Sequence, residues 1–157
     1  MSSMVSRVDP PAFGQVSLDV MVEGLEARHL ADADLRRLFP GSALTDVRLN
    51  RLRNWPRFVV RLEDVPLAVA TYTQLDGETQ IPDFAVDVPA RLKQANPAIT
   101  RRAVYALLDA IELASIAGAC RRIVVVPPRD AVPALERRGY IGYREGCAGS
   151  WMEKALA

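Results

Sequence analysis

The chain has 157 residues, half of them hydrophobic, with 20 basic against 19 acidic residues and a formal charge of +1. That is one domain's worth of chain with apolar residues for a single core, and the charge balance excludes a global pull toward nucleic acid or an anionic membrane. No stretch approaches the ~20 apolar residues of a membrane span, and the opening MSSMVSRVDPPAFG lacks the apolar core of a signal peptide. The expectation is a cytoplasmic protein with no membrane partner. Cys120 and Cys147 lie far apart without metal-ligand spacing, which predicts reduced thiols and no metal.

Residues 1–15, with Pro10-Pro11 and Gly14, read as a flexible arm, and one domain follows over 16–157. VSLDVMV (16–22) alternates apolar and polar, the period of a strand. ADADLRRLF carries Leu35, Leu38 and Phe39 near helical spacing, with Asp32 and Asp34 early, where the helix dipole favours acids. ALTDVRLNRLRN predicts a second short helix with Leu44, Val47 and Leu52 on one side and Arg48 and Arg51 elsewhere. RFVVRLEDVPLAVATYTQLDG then gives two β-rich runs around a polar Glu63-Asp64 turn, closed by Asp76-Gly77, a hairpin signal. ETQIPDFAVDV (78–88) is the next strand. Its Pro82 cannot donate to a ladder and marks a bulge, a splay or an edge.

The longest element is PAITRRAVYALLDAIELASIAG, a helix over 97–118. Ile99, Ala103, Ala106 or Leu107, Ala110, Leu113 and Ala117 line one face, and Gly118 is a natural stop. RRIVVVPP is a short β-branched run of the kind found in a strand covered on both faces. DAVPALERRG reads as a short helix capped by Asp130 and stopped by Gly139, and YIGYREG and GSWMEKAL close the chain as two strands. A strand, a long helix and a strand in that order require a parallel crossover inside an otherwise antiparallel sheet. The predicted class is α/β (α+β), a mixed, mostly antiparallel, partly split sheet flanked by helices, with 121–126 parallel to 78–88.

That order, with CRRIVVVPPRDAVPALERRGY, the closing SWMEKAL and the hairpin FVVRLEDVPLAVATY, resembles the GNAT superfamily of acyl-CoA-dependent N-acyltransferases over residues 16–157. The resemblance implies a sheet whose fourth and fifth strands splay apart around the pantetheine arm of acetyl-CoA or another acyl-CoA. It places Val86 and Val88 beside that arm. It also implies a pyrophosphate loop of pattern Q/R-x-x-G-x-G/A at the start of the long helix. Here that segment is KQANPAITRRA, with Lys93 at the first position, Asn96 at the first glycine and Ala98 at the last. Pro97 lacks an N–H, and an Asn96 cap would occupy a donor that a phosphate needs.

Arg101 and Arg102 stand in the first helical turns with no acid on the helix before Asp109. Cations there oppose the dipole by ~0.3–1 kcal/mol each, a cost that a bound anion would reverse. Any cofactor is therefore expected near Lys93, Ala98, Ile99, Arg101 and Arg102. An asparagine and an acid-donating tyrosine in the family correspond to positions near Asp130 and Leu135, and leucine donates no proton. Tyr105 and Tyr143 are the candidate acids, and Asp83 and Asp87, on one face of a strand, the candidate bases. His29 is the only histidine.

Three readings follow. The first is transfer of an acyl group to a small-molecule or protein amine. The second is the same fold without catalysis, serving as a binding module, as the altered loop and Leu135 suggest. The third is nucleic-acid binding through Arg48, Arg51, Arg53, Arg57, Arg61 and Trp55, diluted by Asp46, Glu63 and Asp64. A homodimer is left open.

Overall fold

The computed structural model describes residues 3–7, 19–23, 29–146 and 149–156. Ser3–Arg7 forms β1, which pairs antiparallel with β2 (Asp19–Glu23), Met4 opposite Val22. The expected flexible arm thus contains an edge strand, because the outer side of β2 presents backbone groups that a neighbouring segment satisfies. β3 (Arg57–Leu62), β4 (Val65–Leu75) and β5 (Glu78–Val86) form the predicted antiparallel meander. Its second turn has φ of 53° at Asp76 and 75° at Gly77, the two positive values that a tight hairpin turn demands and that glycine supplies without steric cost.

Between β2 and β3 come α1 (Asp32–Leu38) and α2 (Asp46–Asn54). The Thr45 hydroxyl caps α2 by accepting the Arg48 N–H at 3.1 Å. The inner face of α2 differs from the one its apolar spacing predicts. Val47 is 65% exposed, while Arg48 and Arg51 turn to the sheet beside buried Leu52. α3 (Ala90–Ala95) is a single short turn of helix that the sequence pattern did not announce.

α4 (Ile99–Ala117) lies across the sheet and buries Ile99, Ala103, Val104, Leu107, Leu108 and Ile111. Leu113, expected on that face, is 57% exposed, since the buried stripe runs through Ser115 instead. The Ser115 hydroxyl donates to the Ile111 carbonyl and pairs with the Thr79 hydroxyl, both at 2.7 Å, so this buried polar residue is satisfied.

After α4, β6 (Arg122–Val125) returns parallel to β5, from Glu78 opposite Arg122 to Ile81 opposite Val125. A 3₁₀ turn at Arg129–Ala131 leads into α5 (Val132–Arg137). Asp130 makes no capping bond there, contrary to expectation. β7 (Ile141–Gly146) and β8 (Gly149–Ala155) follow, β8 inserting between β6 and β7. The described strands form one sheet in the order β1-β2-β3-β4-β5-β6-β8-β7, antiparallel except for β5–β6. One core fills the α4 side, with Val60, Ala68, Phe84 and Val88. A smaller core joins α1 and α2 to Val59, Val69 and Ala85. Among the described residues no helix is long and apolar enough to cross a membrane.

Candidate functional site

The sheet opens between β5 and β6. Gln80 of β5 faces Thr73 and Asp83 faces Thr71, so two residues, Ile81 and Pro82, oppose Tyr72 alone. This is a bulge at the residue that cannot donate. The parallel ladder to β6 ends at the same place, with Val126 N–H donating to the Ile81 carbonyl at 2.9 Å as its last bond. Beyond it β5 keeps only β4, while Pro127-Pro128 carries the other strand away. The expected splay is present, and Pro82 and the proline pair stand at its apex. Antiparallel backbone bonds alternate sides. Since Asp87 N–H donates to Leu67 of β4 at 2.9 Å, the N–H groups of Val86 and Val88 face the side that β6 has left.

A cavity of about 140 Å³ occupies the split. Its walls are Val86 at the end of β5 with Asp87 and Val88 just after it, Pro128, Asp130 and Ala131 from the segment after β6, Thr100 and Val104 from α4, and Lys93 from α3. A second cavity of about 470 Å³ lies between the start of α4 and α5, lined by Pro97, Ala98, Arg101, Pro133, Ala134 and Arg137. The two share Thr100, Val104 and Asp130. They form a groove whose walls mix apolar side chains with charge: Asp87 and Lys93 border the split, Arg101 and Arg137 the outer cavity, and Asp130 both.

The start of α4 governs what the groove can hold. The first four N–H groups of a helix lack intrahelical partners. Asn96 takes two of them: its side-chain oxygen accepts from Ala98 N–H at 3.1 Å and its carbonyl from Ile99 N–H at 3.0 Å. Asn96 therefore occupies a donor, as expected, although as a turn residue before Ala98 rather than as the helix cap. The N–H groups of Thr100 and Arg101 remain, on residues that line the groove at the positive end of the helix dipole. Ile99, expected beside a cofactor, is fully buried in the core. Arg102 lines neither cavity, because one step along the helix turns it away from Arg101.

The two candidate bases share a face of β5 and differ in everything else. Asp83 is 0% exposed. Its Oδ1 accepts from Arg48 Nε and Arg51 Nη2, both at 2.8 Å, and its Oδ2 from Arg51 Nε at 2.7 Å and Thr71 Oγ1 at 2.6 Å. Burial pushes this carboxyl up, but the donors on Arg51, Thr71 and Arg48 more than reverse the shift and leave it below the usual range. Its hydrogen bond raises Arg51 in turn. A carboxylate with both oxygens so engaged, and no contact with solvent, is no proton acceptor for a substrate. Asp83 is thus removed as a base and is an anchor for α2. Asp87 lines the split and is 40% exposed at its side chain, paired with Arg37 Nη1 at 2.9 Å.

Tyr105 lines neither cavity, and its ring lies 5.2 Å from the Arg138 guanidinium. The Tyr143 side chain lies outside the described residues, on a strand that β8 separates from the split. Leu135 is fully buried beneath α5, and His29 is exposed ahead of α1. The five arginines of 48–61 form no single exposed patch. Arg48 and Arg51 hold Asp83, Arg53 reaches Asp32, and Arg57 and Arg61 are buried. Sequence reading missed Thr100, Val104, Ala134 and Arg137. The i, i+4 spacing of Thr100 and Val104 on the helix that follows the altered loop was the available signal.

No protein-family model matches the chain, and no curated protein matches it in sequence. Solved structures do match in shape. The GNAT domain of S. lividans PAT superposes with a TM-score of 0.59 at 14% identity, over 97% of each chain. An IAA acetyltransferase from Bacillus cereus gives 0.59 at 10% identity, over 87% of this chain and 99% of that one. A Bacillus subtilis acetyltransferase in complex with CoA gives 0.58 at 13%, over 87% and 98%. The chain has the GNAT fold.

Proposed function

We propose that the protein is an acyl-CoA-dependent N-acyltransferase. The observation that carries this reading is the groove, a wedge between parting parallel strands that continues onto a helix N-terminus with open N–H donors. The residues fit the group: Val86, Val88, Val104, Pro128 and Ala131 suit an aliphatic pantetheine arm. The Thr100 and Arg101 N–H groups, with Lys93, Arg101 and Arg137, suit the diphosphate. The solved neighbour of the same fold with CoA bound supports the reading.

An acyl-CoA supplies a thioester when bound. The chain's part is to position it and to manage one proton. An amine nitrogen forms the bond to the acyl carbon while the carbon–sulfur bond breaks, and the amine's proton leaves toward Asp87 directly or through water. A thiol leaving group near the cysteine reference pKa of about 8.5 would need no obligatory donor from the chain. Such a reaction tolerates Leu135 and the absence of Tyr105 from the groove. Without a positioned acid, turnover gives up about 10²–10⁴-fold relative to an enzyme that has one.

The test has two arms. Acetyl-CoA at about 100 times its Kd stabilises the fold by about 2.7 kcal/mol, read as a raised Tm. A thiol-release assay then follows acyl transfer across a panel of amines. Binding without turnover on any amine assigns the groove to a non-catalytic module, and absence of binding overturns the reading.

A further inference from the structure

We infer that Arg37 is a positioning residue that holds the cofactor groove open by closing the end of the β4–β5 ladder. The inference rests on the acyl-CoA reading of the groove. Val86, Asp87 and Val88 form one wall of the split cavity, yet β6 leaves this part of β5 at Ile81. Its register with β4 ends at Val86 opposite Ala68, with one more bond from Asp87 N–H to the Leu67 carbonyl. A strand end with one neighbour and no further rungs has backbone acceptors to satisfy and freedom to collapse into the gap beside it.

Arg37 meets both needs from α1, 50 residues away in sequence. Its Nη1 donates to the Asp87 carbonyl at 2.7 Å and to Asp87 Oδ2 at 2.9 Å, and its Nη2 donates to the Pro66 carbonyl. One rigid guanidinium therefore bridges the ends of both strands, with its side chain only 27% exposed. Lysine carries a single ammonium in place of this planar fork and cannot span the same acceptors in one geometry. Asp34 keeps the guanidinium turned toward the sheet from one helical turn back, at 3.5 Å.

The experiment measures CoA affinity of the full chain by titration calorimetry, with Tm recorded for every variant. Arg37→Met removes all the donors at once and weakens CoA binding by about tenfold or more, the loss expected for one or two charge-assisted hydrogen bonds that hold a wall in place. Arg36→Met, at the exposed neighbouring position on α1, serves as the control for general effects on the helix. Asp87→Asn keeps both main-chain bonds and weakens binding less than Arg37→Met.

Arg37→Lys, which retains charge and stem, falls between the parent and Arg37→Met and keeps the chain folded if the methionine variant is not. Amide exchange at Val86–Val88 is faster in the lysine variant than in the parent, a change that a remote role for Arg37 does not produce. Parent-like affinity and parent-like exchange in Arg37→Lys and Arg37→Met overturn the inference, and so does an Asp87→Asn loss equal to that of Arg37→Met. Failure of the parent itself to bind CoA refutes the acyl-CoA reading instead, so the two failures are separate results.

Discussion

Asp83→Asn tests the anchor that fastens α2 to the sheet. The substitution keeps shape and removes one negative charge from a site that is 0% exposed and accepts from two guanidinium groups and a hydroxyl. Removing one partner of a buried ion pair costs about 3–5 kcal/mol. The arginine side chains are 25% and 21% exposed, so they can turn part of their charge to water, which sets the expectation near the lower end, about 3 kcal/mol. For a chain of this size that is a fall in Tm of about 6–12 °C at neutral pH.

The pH dependence has a fixed sign. The folded carboxyl sits below its unfolded value because the donors on Arg51, Thr71 and Arg48 outweigh burial. A depressed carboxylate stabilises the fold above its unfolded pKa, near 4, and that contribution disappears as pH falls from there through the folded pKa. Thermal unfolding followed by circular dichroism from pH 7 downward therefore shows the parent losing Tm more steeply than Asp83→Asn below about pH 4, the two curves converging in acid. A variant that melts with the parent at pH 7, or two curves that stay parallel below pH 4, refutes the anchor.

Arg101→Ala weakens CoA binding by about ten- to hundredfold in calorimetry, the worth of one charge-assisted contact, while Arg102→Ala leaves it within about twofold because that side chain lines neither cavity. Leu135→Ala opens space in the core beneath α5, where Leu135 has no exposure, and lowers unfolding free energy by about 2–5 kcal/mol in urea titration. Tyr140→Phe removes the hydroxyl that lies 3.1 Å from Glu112 Oε2 and costs about 1 kcal/mol by the same measurement. Glu112 keeps Arg138 and Lys154 as partners, so a loss several times larger would show that the hydroxyl carries more of the network than geometry allows.

Much of this architecture is written in short stretches of sequence, because turn chemistry and side-chain periodicity act over a few residues. Asp76-Gly77 dictates a hairpin through the positive φ it supplies, and Pro82 dictates a break in a ladder through the donor it lacks. Asn96 before Pro97 announces a turn that takes N–H groups from a helix start. The direction of α2 was not legible in the same way. Apolar spacing pointed Val47 inward, and the structure turns Arg48 and Arg51 inward because a buried carboxylate more than 30 residues away requires them. Nor did strand periodicity separate Asp83 from Asp87. It placed both on one face, but only the packing of α1 and α2 decides that one carboxylate is sealed beneath arginines and the other borders the groove. Local sequence specifies what each segment tends to be. Which charges meet, and which remain at a cavity wall, depends on contacts between distant residues that exist only once the sheet has formed.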